Sequence, residues 1–283
     1  MHNVEFRSDR QKTRDRIEKL GTYFRASVLN GDGRFICQHE GSCKKSFFDS
    51  LPRGVFHAGQ LHHVGKNYDL FKENKPLRVV IVGKSYGHGH ASYSMGERSE
   101  LIETSGRCSA RGSGETGVPK RNPHMSGTTF ALRAALGLGF DDVSRPTEYI
   151  QIGEDKVHIF DGFALVDFLL CSAISEEEKM GDRSTETMQV SCAMHFRQAL
   201  EILEPNLLIG QGTAKWMKLA GFGSGRTSET AETFVVNSSA GILLNFPHPS
   251  AYGYRAWGNS SKNEYLHTVV KPAIETAVRT LID

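Results

Sequence analysis

Cysteine and histidine carry most of the chemistry this chain can offer, and their spacing restricts what it is. The cysteines stand at Cys37, Cys43, Cys108, Cys171 and Cys192. Cys37 and Cys43 form a close pair, CQHEGSC, and Cys171 and Cys192 a wider one. Four thiolates in two pairs suit a tetrahedral zinc site and an iron–sulfur cluster equally well. His39, inside the first pair, is a substitute ligand in the zinc case. Without metal, the four would serve as small buried hydrophobes, a role free cysteine fills well. Cys108, in a Gly/Ser-rich stretch, reads as a buried or solvent-facing thiol outside this group. His88 and His90 make an H-x-H pair with no third ligand, which fits solvated loop histidines better than a metal site. His248 opens the sequence His248-Pro249-Ser250 directly after an apolar run, and Asp167 lies late in another. Gly83-Lys84-Ser85 follows a third apolar run. A phosphate-binding loop would need a further glycine five residues earlier, where Arg78 stands, so nucleotide hydrolysis is excluded.

The elements that must position these residues follow from periodicity. Four short apolar runs, Leu77–Val82, Phe163–Leu170, Leu207–Ile209 and Gly241–Phe246, are bounded by turn residues and separated by helix-like stretches. Such runs suit buried strands of a mostly parallel sheet, and a further strand is expected at Thr233–Val236. Helices are expected near residues 9–28 and at Thr128–Leu136, Ser191–Leu203 and Thr213–Leu219. A last one, Lys262–Ile282, kinks or starts at Pro272. Phe130 falls in a helix core. The segment Cys37–Ser46 shows few regular signals. The fold class is therefore α/β, a three-layer α/β/α sandwich around a central sheet, in one domain. Residues 1–30 supply an N-terminal helix and 35–76 a cluster-binding and connecting segment. In open sheets of this kind ligands bind beyond the carboxyl ends of the strands. Three such ends carry chemistry here: Gly83-Lys84-Ser85-Tyr86-Gly87, Asp167, and His248-Pro249-Ser250.

Composition permits this and excludes other classes. The chain has 283 residues, 39% hydrophobic and 23% charged, which is ordinary globular composition. No apolar run approaches the roughly 20 residues that span a bilayer. The N-terminus has no apolar signal core, so a cytoplasmic location is expected, where thiols stay reduced or bind metal. A formal net charge of +2 permits a nucleic-acid partner without demanding one.

The segment NFPHPSAYGYRAW resembles the HPS motif of uracil-DNA glycosylases. FALVDFLLCSAIS, followed by STETMQVSCAMHFRQALEILEPNLLIGQGTAKWMKL, resembles the iron–sulfur branch of that superfamily. There a strand ends in a cysteine, a second cysteine opens a helix, and a P-x-hydrophobic-hydrophobic-Gly strand follows. Cys171 and Cys192 fall at the two cysteine positions. Cys37 and Cys43 stand where the family has its other pair, with a C-x5-C spacing in place of C-x-x-C. The likeness covers roughly residues 35–283. It implies a [4Fe–4S] cluster on Cys37, Cys43, Cys171 and Cys192, with zinc as the alternative, and a DNA partner. It also implies that His248 stabilises the leaving base, while Pro249, Ser250, Tyr252 and Arg255 form the DNA-binding loop. No membrane or protein partner is expected.

Three departures from the family pattern sharpen the expectation. Lys84 occupies the place of the water-activating carboxylate, so water falls to Ser85 or a backbone carbonyl, or catalysis is lost and binding kept. His124 stands where the family stacks a phenylalanine on the base. Asp167 replaces an asparagine that pairs with uracil. An ionised carboxylate only accepts hydrogen bonds, so it would repel uracil O4 and accept from cytosine N4. Asp167 would otherwise cap a loop or pair with an arginine. Because removal of ordinary cytosine would destroy the genome, the expected target is a modified cytosine. Glucosylated hydroxymethylcytosine of phage DNA is one such base, with a defence role implied. The pocket is completed by Gly83, Lys84 and Tyr86, and Arg107, Arg111, Lys120 and Arg121 are phosphate contacts or solvated surface. The rival readings are a conventional uracil-DNA glycosylase in repair, a silent binder of modified DNA, and a zinc hydrolase.

Overall fold

A computed structural model describes residues 6–85, 92–103, 121–140, 148–175, 182–226 and 231–283. Its centre is a six-stranded mixed sheet. The strands, in chain order, are β1 (His63–Val64), β2 (Val79–Gly83), β3 (Phe163–Asp167), β4 (Leu207–Gln211), β5 (Glu232–Val236) and β6 (Ser239–Phe246). Across the sheet they run β5-β6-β4-β2-β3-β1. The inner four, β6, β4, β2 and β3, are parallel, and β5 and β1 close the edges antiparallel. The inner strands are buried on both faces, as their unbroken Val/Ile/Leu runs require.

Alternation along each strand divides the apolar side chains between two cores. Val79, Ile81, Leu165, Ile209 and Leu244 join Ala131, Ala135, Ile274 and Val278 of helices α4 (Pro123–Leu136) and α7 (Lys271–Ile282). Val80, Val82, Val166 and Leu208 join the second core. There they meet Phe24 of α1 (Arg10–Ser27), Phe47 of α2 (Glu40–Ser50), Phe196 of α5 (Glu186–Leu203) and Met217 of α6 (Ala214–Leu219). Phe130 lies in the first core, as expected. α3 (Met95–Leu101) starts at a capping box of Ser94 and Glu97. Asn122 caps α4, Pro123 opens it, and Gly137 ends it in the left-handed conformation. Among the described residues, no helix is long and apolar enough to cross a membrane.

Several element bounds differ from expectation for identifiable reasons. The run from Leu77 to Val82 is divided: Lys75–Leu77 pairs in a separate five-stranded sheet, and the Arg78 amide donates to Asn206 Oδ1 at 2.7 Å. The run from Phe163 stops at Asp167, because the Phe168 and Leu169 amides turn to the Gly83 and Lys84 carbonyls. Cys171 thus begins a new strand, Cys171–Ser175, where the sequence had it ending one; this strand pairs antiparallel with Gly54–Ala58. The segment around Cys43 is helical, α2, although its charged and small residues gave no clear period. Cys192 lies inside α5, six residues past its first residue Glu186. The last helix begins at Lys271, next to Pro272, after a π-turn over Leu266–Val270.

Candidate functional site

The chain order along the sheet reverses at β2, whose successor β3 lies on one side while β4 lies on the other. Such a reversal opens a crevice at the carboxyl ends of the strands. Gly83 and Asp167 are register partners at that edge, and Gln211 pairs with Phe246, two residues before His248. The edge thus gathers residues that the sequence held far apart.

Gly83 is where two of them meet. A Cβ built there would stand 2.7 Å from Asp167 Oδ1 and 3.2 Å from His124 Cε1, so both side chains press on its bare Cα. Asp167 is 1% exposed. Its Oδ2 lies 3.3 Å from Nη2 of Arg98, itself buried, while Oδ1 has no hydrogen-bond partner among the described residues. Burial pushes the Asp167 carboxyl above the usual carboxylate range, and the Arg98 charge offsets this only in part. His124 lies nearly parallel to His248, with centroids 5.8 Å apart and planes at 16°. Burial takes its pKa down to about 3, and His248 and Arg98 beside it disfavour a second positive charge further.

The tautomer of His248 follows from its neighbours. The Ser250 amide donates to Nδ1 at 3.2 Å, and Ser250 Oγ lies 2.7 Å from the same nitrogen. Nδ1 is therefore an acceptor, which leaves Nε2 to carry the proton of the neutral ring. Burial, then the Lys84 charge, keeps the ring neutral by lowering its pKa. The Lys84 ammonium lies over the Trp216 ring, 5.4 Å from its centroid. Ser85 offers a buried hydroxyl without a partner among the described residues, whereas the Gly83 and Lys84 carbonyls already accept amides. Pro249 is buried, while Ser250, Tyr252 and Arg255 are exposed, Tyr252 at 89%.

One expectation is corrected. Arg121 is neither a phosphate contact nor solvated surface. Its guanidinium is buried and grips both oxygens of Glu148, at 2.5 and 2.7 Å. Burial alone would raise Glu148, but Arg121 and His158 hold it down to about 2. The pair anchors the start of α4 through a bidentate geometry that sequence spacing cannot reveal. Tyr86, Gly87, His88, His90, Arg107, Cys108, Arg111 and Lys120 lie outside the described residues.

Sequence reasoning missed three residues here. Arg98 comes from α3, whose S-x-x-E capping box was the signal available. Gln211, fully buried at the end of β4, donates to Thr128 Oγ1 at 3.3 Å and leaves Oε1 without a partner among the described residues. Tyr254, 57% exposed, stands beside Tyr252 and under the Arg255 guanidinium.

The second constellation is the cysteines. Cys37, Cys43, Cys171 and Cys192 line one small cavity together with His39 and His195, partly open to solvent. Cys43, Cys171 and Cys192 are buried and Cys37 half-buried, and none is in a disulfide. The C-x5-C spacing therefore does bring both members of the first pair to the same wall. Burial raises all four thiols, Cys192 to about 12, and the neighbouring sulfurs push Cys171 and Cys192 further. Such a group stays protonated unless a cation offsets the mutual repulsion, and that is how metal ligation behaves. As a donor set, four thiols suit an iron–sulfur group and a zinc ion alike. Among the described residues no three such side chains draw together closely enough to hold a metal ion. His195 Nε2 lies 3.5 Å from Cys37 Sγ, and the Tyr23 hydroxyl is 2.7 Å from its Nδ1.

No model of a known protein family matches the chain, and no curated protein matches it. What the site can do is therefore argued from its residues and from the motifs themselves.

Proposed function

We propose that this protein is a DNA glycosylase, a three-layer α/β/α sandwich of the uracil-DNA glycosylase kind, acting in the cytoplasm on a modified cytosine. The observation that carries the reading is the convergence at one sheet edge of Asp167, His124 and a neutral His248 whose Nε2–H has no partner among the described residues. A flipped-out base would enter this edge, and its Watson–Crick edge would be read there. Asp167 Oδ1 accepts from the exocyclic amine. His248 donates from Nε2 to the base oxygen on which negative charge gathers as the C1′–N1 bond breaks, with the electron pair leaving on the base. Water held at Ser85 adds to C1′, its released proton neutralises the departed base, and an abasic site is left. Tyr252, Tyr254 and Arg255 present an aromatic and cationic face to the duplex, suited to phosphate contact and to wedging where the base has left. Cys37, Cys43, Cys171 and Cys192 would hold a [4Fe–4S] cluster, which supplies a structural cross-link rather than electrons. Ordinary cytosine is excluded as a target by its abundance, and glucosylated hydroxymethylcytosine of phage DNA is the base we favour.

The test is incubation of purified protein with single- and double-stranded DNAs carrying uracil, hydroxymethylcytosine or its glucosylated form, scored for abasic sites. We expect cleavage at a modified cytosine, lowered about 10²-fold or more by His248→Ala with little change in DNA affinity. Efficient uracil removal would transfer the protein to repair of that base. Tight binding with no abasic site on any DNA would mark a silent binder, the reading favoured by Lys84 at the usual carboxylate position.

A further inference from the structure

We propose that Arg98 is the positioning residue that fixes what Asp167 can read. By engaging one carboxylate oxygen it leaves the other as a buried acceptor, so the pocket takes a base with an exocyclic amine and refuses one with a carbonyl there. The base is named on the glycosylase reading above; the Arg98–Asp167 relation stands apart from it.

The argument begins with cost. Arg98 is 5% exposed and Asp167 1%, with Nη2 and Oδ2 3.3 Å apart. A guanidinium does not shed its proton, so burying one is tolerated only beside a compensating anion. An asparagine at position 167 would need no such partner, and a buried arginine facing it would be a liability. The buried Arg98 charge favours the ionised form of the carboxylate beside it, against the burial that raises its pKa. An ionised carboxylate has no proton to donate. Its Oδ1, lacking a partner among the described residues, lies against Gly83, which His124 also meets. A buried oxygen in that state is costly unless a ligand brings a donor.

The other ionisable groups at the pocket do not take over this role. His62, just before β1, is fully buried and taken by burial down to about 3, with Arg98 contributing. His124 from α4 is likewise near 3 and His248 is lowered, so these rings are neutral at working pH. Lys84, following β2, acts on His248 and sits over Trp216. The charge that acts on Asp167 is Arg98. α3 is built to deliver it: its capping box lies one turn earlier, and Ser99 Oγ is 3.1 Å from His63 Nδ1 on β1, the strand beside β3.

The test has two independent arms on the full-length protein. In the first, aspartate labelled with ¹³C at its carboxyl carbon is followed by NMR without DNA, the Asp167 signal being assigned by its loss in Asp167→Asn. Wild type and Arg98→Lys should show a carboxylate at neutral pH, and Arg98→Met a protonated acid. In the second, the ratio of modified-cytosine to uracil excision should fall about 10-fold or more in Arg98→Met and recover in Arg98→Lys. An Asp167 carboxylate unchanged in Arg98→Met overturns the proposal whatever the activity. A wild type inactive on every base removes the glycosylase reading, while the NMR arm still decides the pair. If Arg98→Met does not fold, the double variant with Asp167→Asn should restore soluble protein, since removing both members of a buried pair is tolerated where removing one is not. Failure of that rescue also overturns it.

Discussion

His248 and Lys84 show chemistry set by single side chains at close quarters. The imidazole works as a donor only while Nδ1 accepts from the Ser250 amide, and a second proton would have to displace that bond. Burial and the Lys84 charge both favour the neutral ring. Activity should therefore hold as pH falls and fail only below the ordinary imidazole range. Lys84→Met removes a positive charge that opposes protonation, so the pKa rises and the acid limb of the pH–rate profile moves to higher pH. A limb that stays in place, measured as kcat/KM against pH, would show that Lys84 does not act on His248. Much at this scale was legible in the sequence, because His248, Asp167 and Ser85 each sit at the end of an apolar run. Arg98 was not legible, since its partner lies 69 residues away and only the folded sheet brings them together. Arg121 was misread for the same reason, its anion being Glu148 on a separate element.

The elements place these side chains through contacts that glycine makes possible. Gly127 lies inside α4, where glycine weakens a helix, yet a Cβ there would stand 2.6 Å from Pro249 Cγ and 3.0 Å from the Trp257 ring. Gly258 does the same from the other side, with a Cβ falling 2.0 Å from the Pro123 carbonyl oxygen. α4 and the His248-Pro249-Ser250 loop are thus pressed together backbone to ring, and the position of His248 depends on that fit. Gly127→Ala gains helix propensity and loses the fit. We expect a net destabilisation of about 1–3 kcal/mol, the usual range for overpacking, and an excision rate reduced far more than DNA affinity. Denaturant melts and single-turnover rates measure the two effects; a more stable, fully active variant would show that the loop has room. Strand positions were readable because buried runs of Val, Ile and Leu announce themselves. Helix α2 was not, because its buried face is only Cys43 and Phe47 among charged and small residues.

Across the whole molecule the cysteine cavity and the sheet edge at Asp167 are joined by a short series of backbone bonds. Cys171 pairs with Ala58 in register; the neighbouring Gly59 carbonyl accepts the Tyr93 amide, and the Leu61 amide donates to the Tyr93 carbonyl, both at 2.9 Å. Ser94, the next residue, caps α3, which delivers Arg98 to Asp167. A group tying Cys37, Cys43, Cys171 and Cys192 would fix the cavity-side end of that series and cross-link segments that are distant in the chain. Ligands that bind only the folded state stabilise it by mass action, and buried cysteines become thiolates only beside a cation. Anaerobically purified protein should therefore be brown, with about four irons and matching sulfide per chain. Cys171→Ala and Cys192→Ala should be colourless or insoluble, while Cys108→Ala stays brown. Oxidative removal of the iron should lower the melting temperature by about 5 °C or more, the shift expected for a loss of one or two kcal/mol in a chain of this size. It should also weaken the preference for modified cytosine, because the support of α3 is loosened. Stoichiometric zinc in place of iron would replace the cluster with a single-ion site. Iron whose removal changes neither melting nor base preference would show that the cavity and the pocket are independent.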